Sequence, residues 1–148
     1  MSWRILRPQL KTLLDTISTI QETASYPKMK FGGYPAATVT PNENDGDYET
    51  NTENIRNYSF MVRIFYETKH SGISNAITAL EEVVDSVIDV FDKEDLKGSS
   101  SRTVGISLPT GYTFINIWAS PSAWFELPEE ELIYAQVVVR VRVSIDIT

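Results

Sequence analysis

The stretch "ELIYAQVVVRVRVSIDIT", residues 131–148, decides the fold. Ile133, Ala135, Val137, Val139, Val141, Val143, Ile145 and Ile147 alternate with Tyr134, Gln136, Val138, Arg140, Arg142, Ser144 and Asp146, the two-residue period of an extended chain with one buried face. Such a run predicts one long β-strand near the C-terminus. At about 3.3 Å per residue it would span roughly 50 Å, more than a small domain usually needs, so part of it is expected to pair outside its own core. Arg140 and Arg142 fall on the same outward side. Carboxylates of a neighbouring strand are their expected partners, and carboxylates of another subunit the alternative.

Working back from this strand, "RNYSFMVRIFYE", residues 56–67, puts Tyr58, Phe60, Val62, Ile64 and Tyr66 on one side and Asn57, Ser59, Met61, Arg63 and Phe65 on the other. This is a second half-buried strand. From Ser71 the period lengthens. Ile73, Ile77, Leu80, Val84, Val87, Ile88 and Phe91 follow the three-and-four spacing of a helix ending near Lys93, with Ser71 or Ser74 as its N-cap. "TVGISLPTGYTFINIWAS", residues 103–120, reads as a hairpin turning through Pro109, Thr110 and Gly111. Near the N-terminus, Leu10, Leu13, Leu14, Ile17 and Ile20 predict an amphipathic helix from Pro8 to Ile20, with the proline in its first turn. Gly32 and Gly33 then mark a turn before a short strand over Ala37–Thr40.

The predicted order is α-β-β-α-β-β-β, without the regular strand–helix alternation of a parallel sheet. It implies an α+β domain with a mainly antiparallel sheet and two helices packed on one face. A length of 148 residues suits one such domain, 1–148, with extended loops at about 41–54 and 97–103. Hydrophobic residues at 42% exclude a wholly disordered chain, and no apolar run reaches the roughly 18 residues a membrane span requires. The absence of Cys excludes disulfides, thiol nucleophiles and cysteine-ligated zinc. In "MSWRILRPQLKTLL" Lys11 interrupts any signal-like apolar stretch, so export by a signal peptide is not expected. A net charge of −7 argues against general binding to nucleic-acid phosphates.

Residues 37–60, "ATVTPNENDGDYETNTENIRNYSF", hold a polar, acidic run that includes Asp45, Asp47, Glu49 and Glu53. Placing Gly46 at the glycine position of an EF-hand puts Pro41 first and Thr52 last, so the calcium pattern fails. Convergence of these carboxylates on a metal would suit a hydrolase; a solvated loop is the favoured reading. His70, the only histidine, has no nucleophile motif or ligand spacing around it and reads as a surface or capping residue. No cofactor and no catalytic residue are expected. Two features point to partners instead. Glu81, Asp85, Asp89 and Asp92 recur every three or four residues along the second helix, a solvated face or one that meets a basic neighbour or passing DNA. Trp124 and Phe125, in a loop between Pro121 and Pro128, are either a flap over the core or an interface anchor.

Together the leading helix, "FGGYPAATVTPNENDGDYETNTENIRNYSFMVRIFYE" at 31–67, the acidic amphipathic helix and the closing "YAQVVVRVRVSI" resemble the tail terminator family of long-tailed phages, small tail-completion proteins. The resemblance covers most of the chain. It implies a structural virion protein that forms a ring, a hexamer in that family, on the head-proximal end of the tail tube. Such a ring stops tube polymerisation and provides the head-docking surface. The implied partners are other copies of the chain, the major tail tube protein and the head–tail connector, with DNA passing without specific binding and no membrane partner. The implied location is the virion, after assembly in the host cytoplasm. Under this resemblance Pro41–Glu53 is an extension ordered by its partners. A neck or head-completion protein, stopper or adaptor, is the alternative, and a metal-dependent hydrolase ranks lower.

Overall fold

The computed structural model describes residues 3–28, 30–42, 55–69, 72–94 and 108–145. Elements follow in the order α1 (Trp3–Asp15), β1 (Glu22–Ala24), β2 (Ala36–Pro41), β3 (Ile55–Glu67), α2 (Ile73–Glu94), β4 (Tyr112–Leu127), a single 3-10 turn (Pro128–Glu130) and β5 (Leu132–Ile145). The strands form one sheet in the order β1-β2-β3-β5-β4, antiparallel except for the β1–β2 pair. The α+β class, the mainly antiparallel sheet and the two helices on one face therefore hold. Beyond the expected elements there is one short parallel strand, β1, too brief to show any period.

β5 behaves as its alternation requires. Ile133, Ala135, Val137, Val139, Val141 and Val143 are all buried, while the residues between them from Tyr134 to Ser144 are half-buried. The expectation that part of this strand pairs outside its own core is overturned. β5 is the inner strand, with β3 along one side from Ile55↔Ser144 to Glu67↔Leu132 and β4 along the other from Tyr112↔Ile145 to Leu127↔Leu132. Its length is matched by two equally long neighbours. Ile147 and Asp146 lie outside the described residues, as does the first strand of the expected hairpin, at 103–107. The turn before β4 is present: the Tyr112 amide donates to Pro109 O at 3.2 Å, and Gly111 takes φ +93°, open to glycine without strain.

α1 is displaced from its expected bounds. It begins at Trp3, carries Pro8 inside and ends at Asp15. Pro8 thus falls in the second turn and not the first, and its missing N–H forgoes the bond to the Arg4 carbonyl. Beyond Asp15 the chain tightens: Thr16 and Ile17 amides donate to Leu13 O and Leu14 O at 3.2 and 3.0 Å, bonds of the 3-10 kind that keep Ile17 in the core. Leu6, Leu10, Leu13 and Leu14 are fully buried against β2 and its neighbours, each worth about 1.5–3 kcal/mol of burial. α2 starts after Gly72, whose carbonyl accepts from the Ala76 amide at 3.1 Å. Ser74 is thus helical and not the cap, and Ser71 and His70 lie outside the described residues.

On the helix-covered face, Phe60, Val62, Ile64, Leu80, Val87, Phe91, Ile117 and the odd-numbered residues of β5 from Ile133 to Val143 form one core with α1. No helix packs on the opposite face of the same sheet, but the segment between β1 and β2 lies over its β2–β3 side, where Ala36, Thr38, Thr40, Ser59 and Phe65 are buried.

Candidate functional site

Register places the side chains of the helix-free face. Arg140 of β5 stands between Ser59 of β3 and Trp118 of β4; Arg142 stands between Asn57 and Asn116; Arg63 of β3 pairs with Gln136. The cross-strand positions directly opposite Arg140 and Arg142 hold Ser, Trp and Asn, not carboxylates. All three arginines are half-buried. Beneath them the Ser59 hydroxyl and the side-chain carbonyls of Asn57 and Asn116 are buried without hydrogen-bond partners. Buried polar oxygens in that condition are uncommon in a finished interior. This face is built of polar and cationic groups where the other is apolar.

One end of the face carries an aromatic ladder. Phe31 lies 5.2 Å from Phe65, Phe65 5.2 Å from Tyr134, and Tyr134 stacks on Phe125 at 4.9 Å with 18° between ring planes. Lys28 sits 5.5 Å from the centre of the Phe31 ring and is ion-paired with Glu22, whose other oxygen accepts from the Gly32 amide at 2.9 Å. The hydrogen bond from Lys28, then that from Gly32, holds the Glu22 carboxyl below its ordinary range; the same carboxylate raises the Lys28 ammonium.

The Trp124–Phe125 pair lies not in a loop but within β4, a 16-residue strand with register shifts between Phe114 and Asn116 and, just past Pro121, between Pro121 and Ala123. Bulges of this kind let an edge strand carry a proline, and Pro121 faces no ladder partner on its outer side among the described strands. Opposite Tyr134 and Ala135 respectively, Phe125 and Trp124 belong to opposite faces of the sheet. Phe125 caps the aromatic ladder. Trp124 lines a shallow groove with Ile77, Glu126 and Ile133. Trp124 is 47% exposed, Phe125 43%, Ile73 45% and Ile77 41%. Ile73 and Ile77 were expected on the buried stripe of α2, but that stripe runs through Ala76, Leu80, Val83, Val84 and Val87 and leaves these two at its margin, beside Trp124 and Ile133 at the edge of the sheet. Periodicity alone did not place them at that margin, so these two members of the apolar patch were missed, as was Arg63.

Along α2, Glu81, Asp85, Asp89 and Asp92 are exposed, joined by Glu82. The helix carries six acids and one lysine. Asp45, Asp47, Glu49 and Glu53 lie outside the described residues. Among the described residues no group of three or more His, Asp or Glu is placed to hold a metal, and no helix is long and apolar enough to cross a membrane.

These features define an α+β protein with one packed face and one polar, arginine-bearing face. No protein-family model and no curated protein sequence matches the chain. Among solved structures, it is similar in fold to a chain of the virion of a native gene transfer agent particle, with a TM-score of 0.58 and 14% identity over 97% of this chain and 99% of that one.

Proposed function

We propose that the protein is a structural subunit of a phage-like virion, and within that class a tail terminator that forms a ring on the head-proximal end of the tail tube, halts its polymerisation and docks the head. The observation that carries the virion reading is the end-to-end likeness of fold to a virion chain, with neither protein left over at the margins. The narrower role rests on the order of elements and the texture of 31–67 and 134–145 that resemble tail terminators. The surfaces support assembly. An exposed apolar patch of Trp124, Ile73 and Ile77 is the kind of feature that marks a protein contact, and β4 offers an edge beside it, with Phe125 exposed on its reverse side. The partners in this reading are other copies of the chain, the tail tube protein and the neck. The excess of acid keeps DNA from adhering as it passes.

Negative-stain electron microscopy of the purified protein with polymerising tail tubes tests this. Density capping one end of tubes, with growth arrested, is the expected outcome. Tubes that grow unchanged beside a protein that binds isolated connectors would instead favour a neck or head-completion role. Indifference to both would remove the virion reading.

A further inference from the structure

We propose that Arg7 and Arg63 form a carboxylate-binding pocket that receives an acidic segment of a partner protein. The inference stands on this pocket and holds whichever place in a virion the chain takes. β1 ends at Ala24, opposite Thr38, so the rest of β2 runs on past it, and residues 25–27 border a cavity of about 440 Å3 beside Thr40 and Pro41. α1 brings Arg7 to this cavity from one side. Arg7 follows the buried Leu6 and precedes the buried Leu10 by three positions, at the margin of the helix's apolar stripe, and β3 supplies Arg63 two residues beyond Met61.

The two guanidiniums are unlike those of Arg140 and Arg142, which have partners in their own chain. Neither Arg7 nor Arg63 has a side-chain hydrogen bond or ion pair among the described residues, and the Nε of Arg7 is buried without an acceptor. A buried cationic donor in that state costs stability until an oxyanion meets it. No such group lines the cavity. Its lining holds two arginines and no Asp or Glu, and the acid of β1, Glu22, is taken by Lys28 and the Gly32 amide. Size and walls then select the ligand. The cavity is far larger than a free ion and within the range of sites that hold organic groups, about 300–1,000 Å3, while Pro27, Pro41 and Met61 offer apolar wall for the stem of a side chain. The planar fork of arginine takes a carboxylate through two parallel hydrogen bonds, and the hydroxyls of Ser25 and Tyr26 lie on the same lining as further donors. Nucleic acid is disfavoured: two cations do not make a track along a phosphate backbone, and the chain around them carries a net charge of −7. No glycine-rich turn or helix N-terminus is present in the lining to cradle a nucleotide phosphate.

Nitrogen-15 NMR of the full chain tests it, with relaxation-optimised detection of the arginine Nε–Hε peaks. The probe is hexaglutamate, titrated beside sodium phosphate and sodium chloride at matched ionic strength. Arg7→Gln and Arg63→Gln each assign a peak by its loss, and the remaining backbone peaks report whether each variant is folded. The Arg7 and Arg63 peaks should move together and saturate with hexaglutamate alone. Either substitution should weaken that binding about tenfold, and Arg63→Lys, which keeps the charge and loses the fork, should recover only part of it. Peaks that stay in place in the wild type would overturn the pocket without recourse to any variant. Movement as large with phosphate or chloride would reduce it to an adventitious ion only, and unchanged affinity in folded Arg63→Gln would place the peptide elsewhere. None of these failures touches the terminator reading, which stands or falls on the capping of tubes.

Discussion

The two faces of the sheet are made by the same strands, residue by residue, yet they obey different rules. On the covered face Val137, Val139 and Val141 are fully buried under α2 and packed against Phe60, Val62 and Ile117. On the open face the residues between them, Val138, Arg140 and Arg142, stay half-buried among Met61, Ser59 and Asn57. Neighbours in sequence thus differ in what they serve. Apolar burial holds one side together, and polar and cationic groups line the other.

The sharpest way to break this comparison is to place the same charge on each face. Val139→Asp would bury an unpaired carboxylate in the middle of the core, at a cost exceeding the roughly 5 kcal/mol that marginal domains have to lose, and the chain should not fold. Val138→Asp, one residue away, should cost about 1 kcal/mol and leave a cooperative transition in urea. Equal losses would mean that the open face is itself a core, covered by part of the chain. A milder contrast follows from size. Phe60→Ala, emptying a fully buried site, should destabilise by about 3–5 kcal/mol, and Arg63→Ala on the reverse side of β3 by less than about 1 kcal/mol.

How far these assignments were legible in the sequence depends on how many neighbours decide them. The faces of β3 and β5 were, because a two-residue period over a dozen positions has one consistent solution. The covered face of α2 was, over Leu80–Phe91, for the same reason. Three things were not. The position of β5 inside the sheet depends on which strands flank it, and β4 was obscured by Pro121, which suggests a loop unless bulges are allowed. The surroundings of Arg140 and Arg142 depend on cross-strand register, which no local pattern encodes. The exposure of Ile73 and Ile77 depends on which stripe of α2 meets the sheet, the one through Ala76, Leu80 and Val87. Each of these is a relation between distant segments, whereas period is a property of one.

The apolar patch belongs to neither face alone, and it separates stability from assembly by another route. Trp124→Ala should reduce the stability of the isolated chain by about 1 kcal/mol, since nearly half of the side chain is in water already. Ile77→Ser, at a similarly exposed position, should stay within about 0.5 kcal/mol. If the patch anchors a partner, the pair of substitutions should nevertheless abolish capping of tail tubes at concentrations where the wild type saturates them. A stable variant that caps normally would return Trp124 to the role of a cover over the groove beside Ile133.

The smallest effect expected lies where the chain ties β1 to the edge of the open face. Glu22 accepts from Lys28 and from the Gly32 amide, and its carboxyl titrates below the usual range. A carboxyl held lower in the folded chain than in the unfolded one stabilises above its unfolded pKa of about 4.5, and that contribution is lost as the pH falls through the folded value. Lys28 works in the opposite sense: raised in the folded chain, it contributes below its ordinary value of 10.5, and the contribution is lost as the pH rises through the folded one. Both are present at neutral pH. Glu22→Gln should therefore lower the thermal midpoint slightly at pH 7, and the gap to the wild type should close in acid as the wild-type carboxyl takes up its proton. Solvent screens an exposed pair, so the shift should be small beside those of the core substitutions. Exchange of the Gly32 amide, faster in the variant at neutral pH but not in acid, would locate the effect at this tie. A gap that persisted in acid would assign it to packing around Phe31 instead of to the charge.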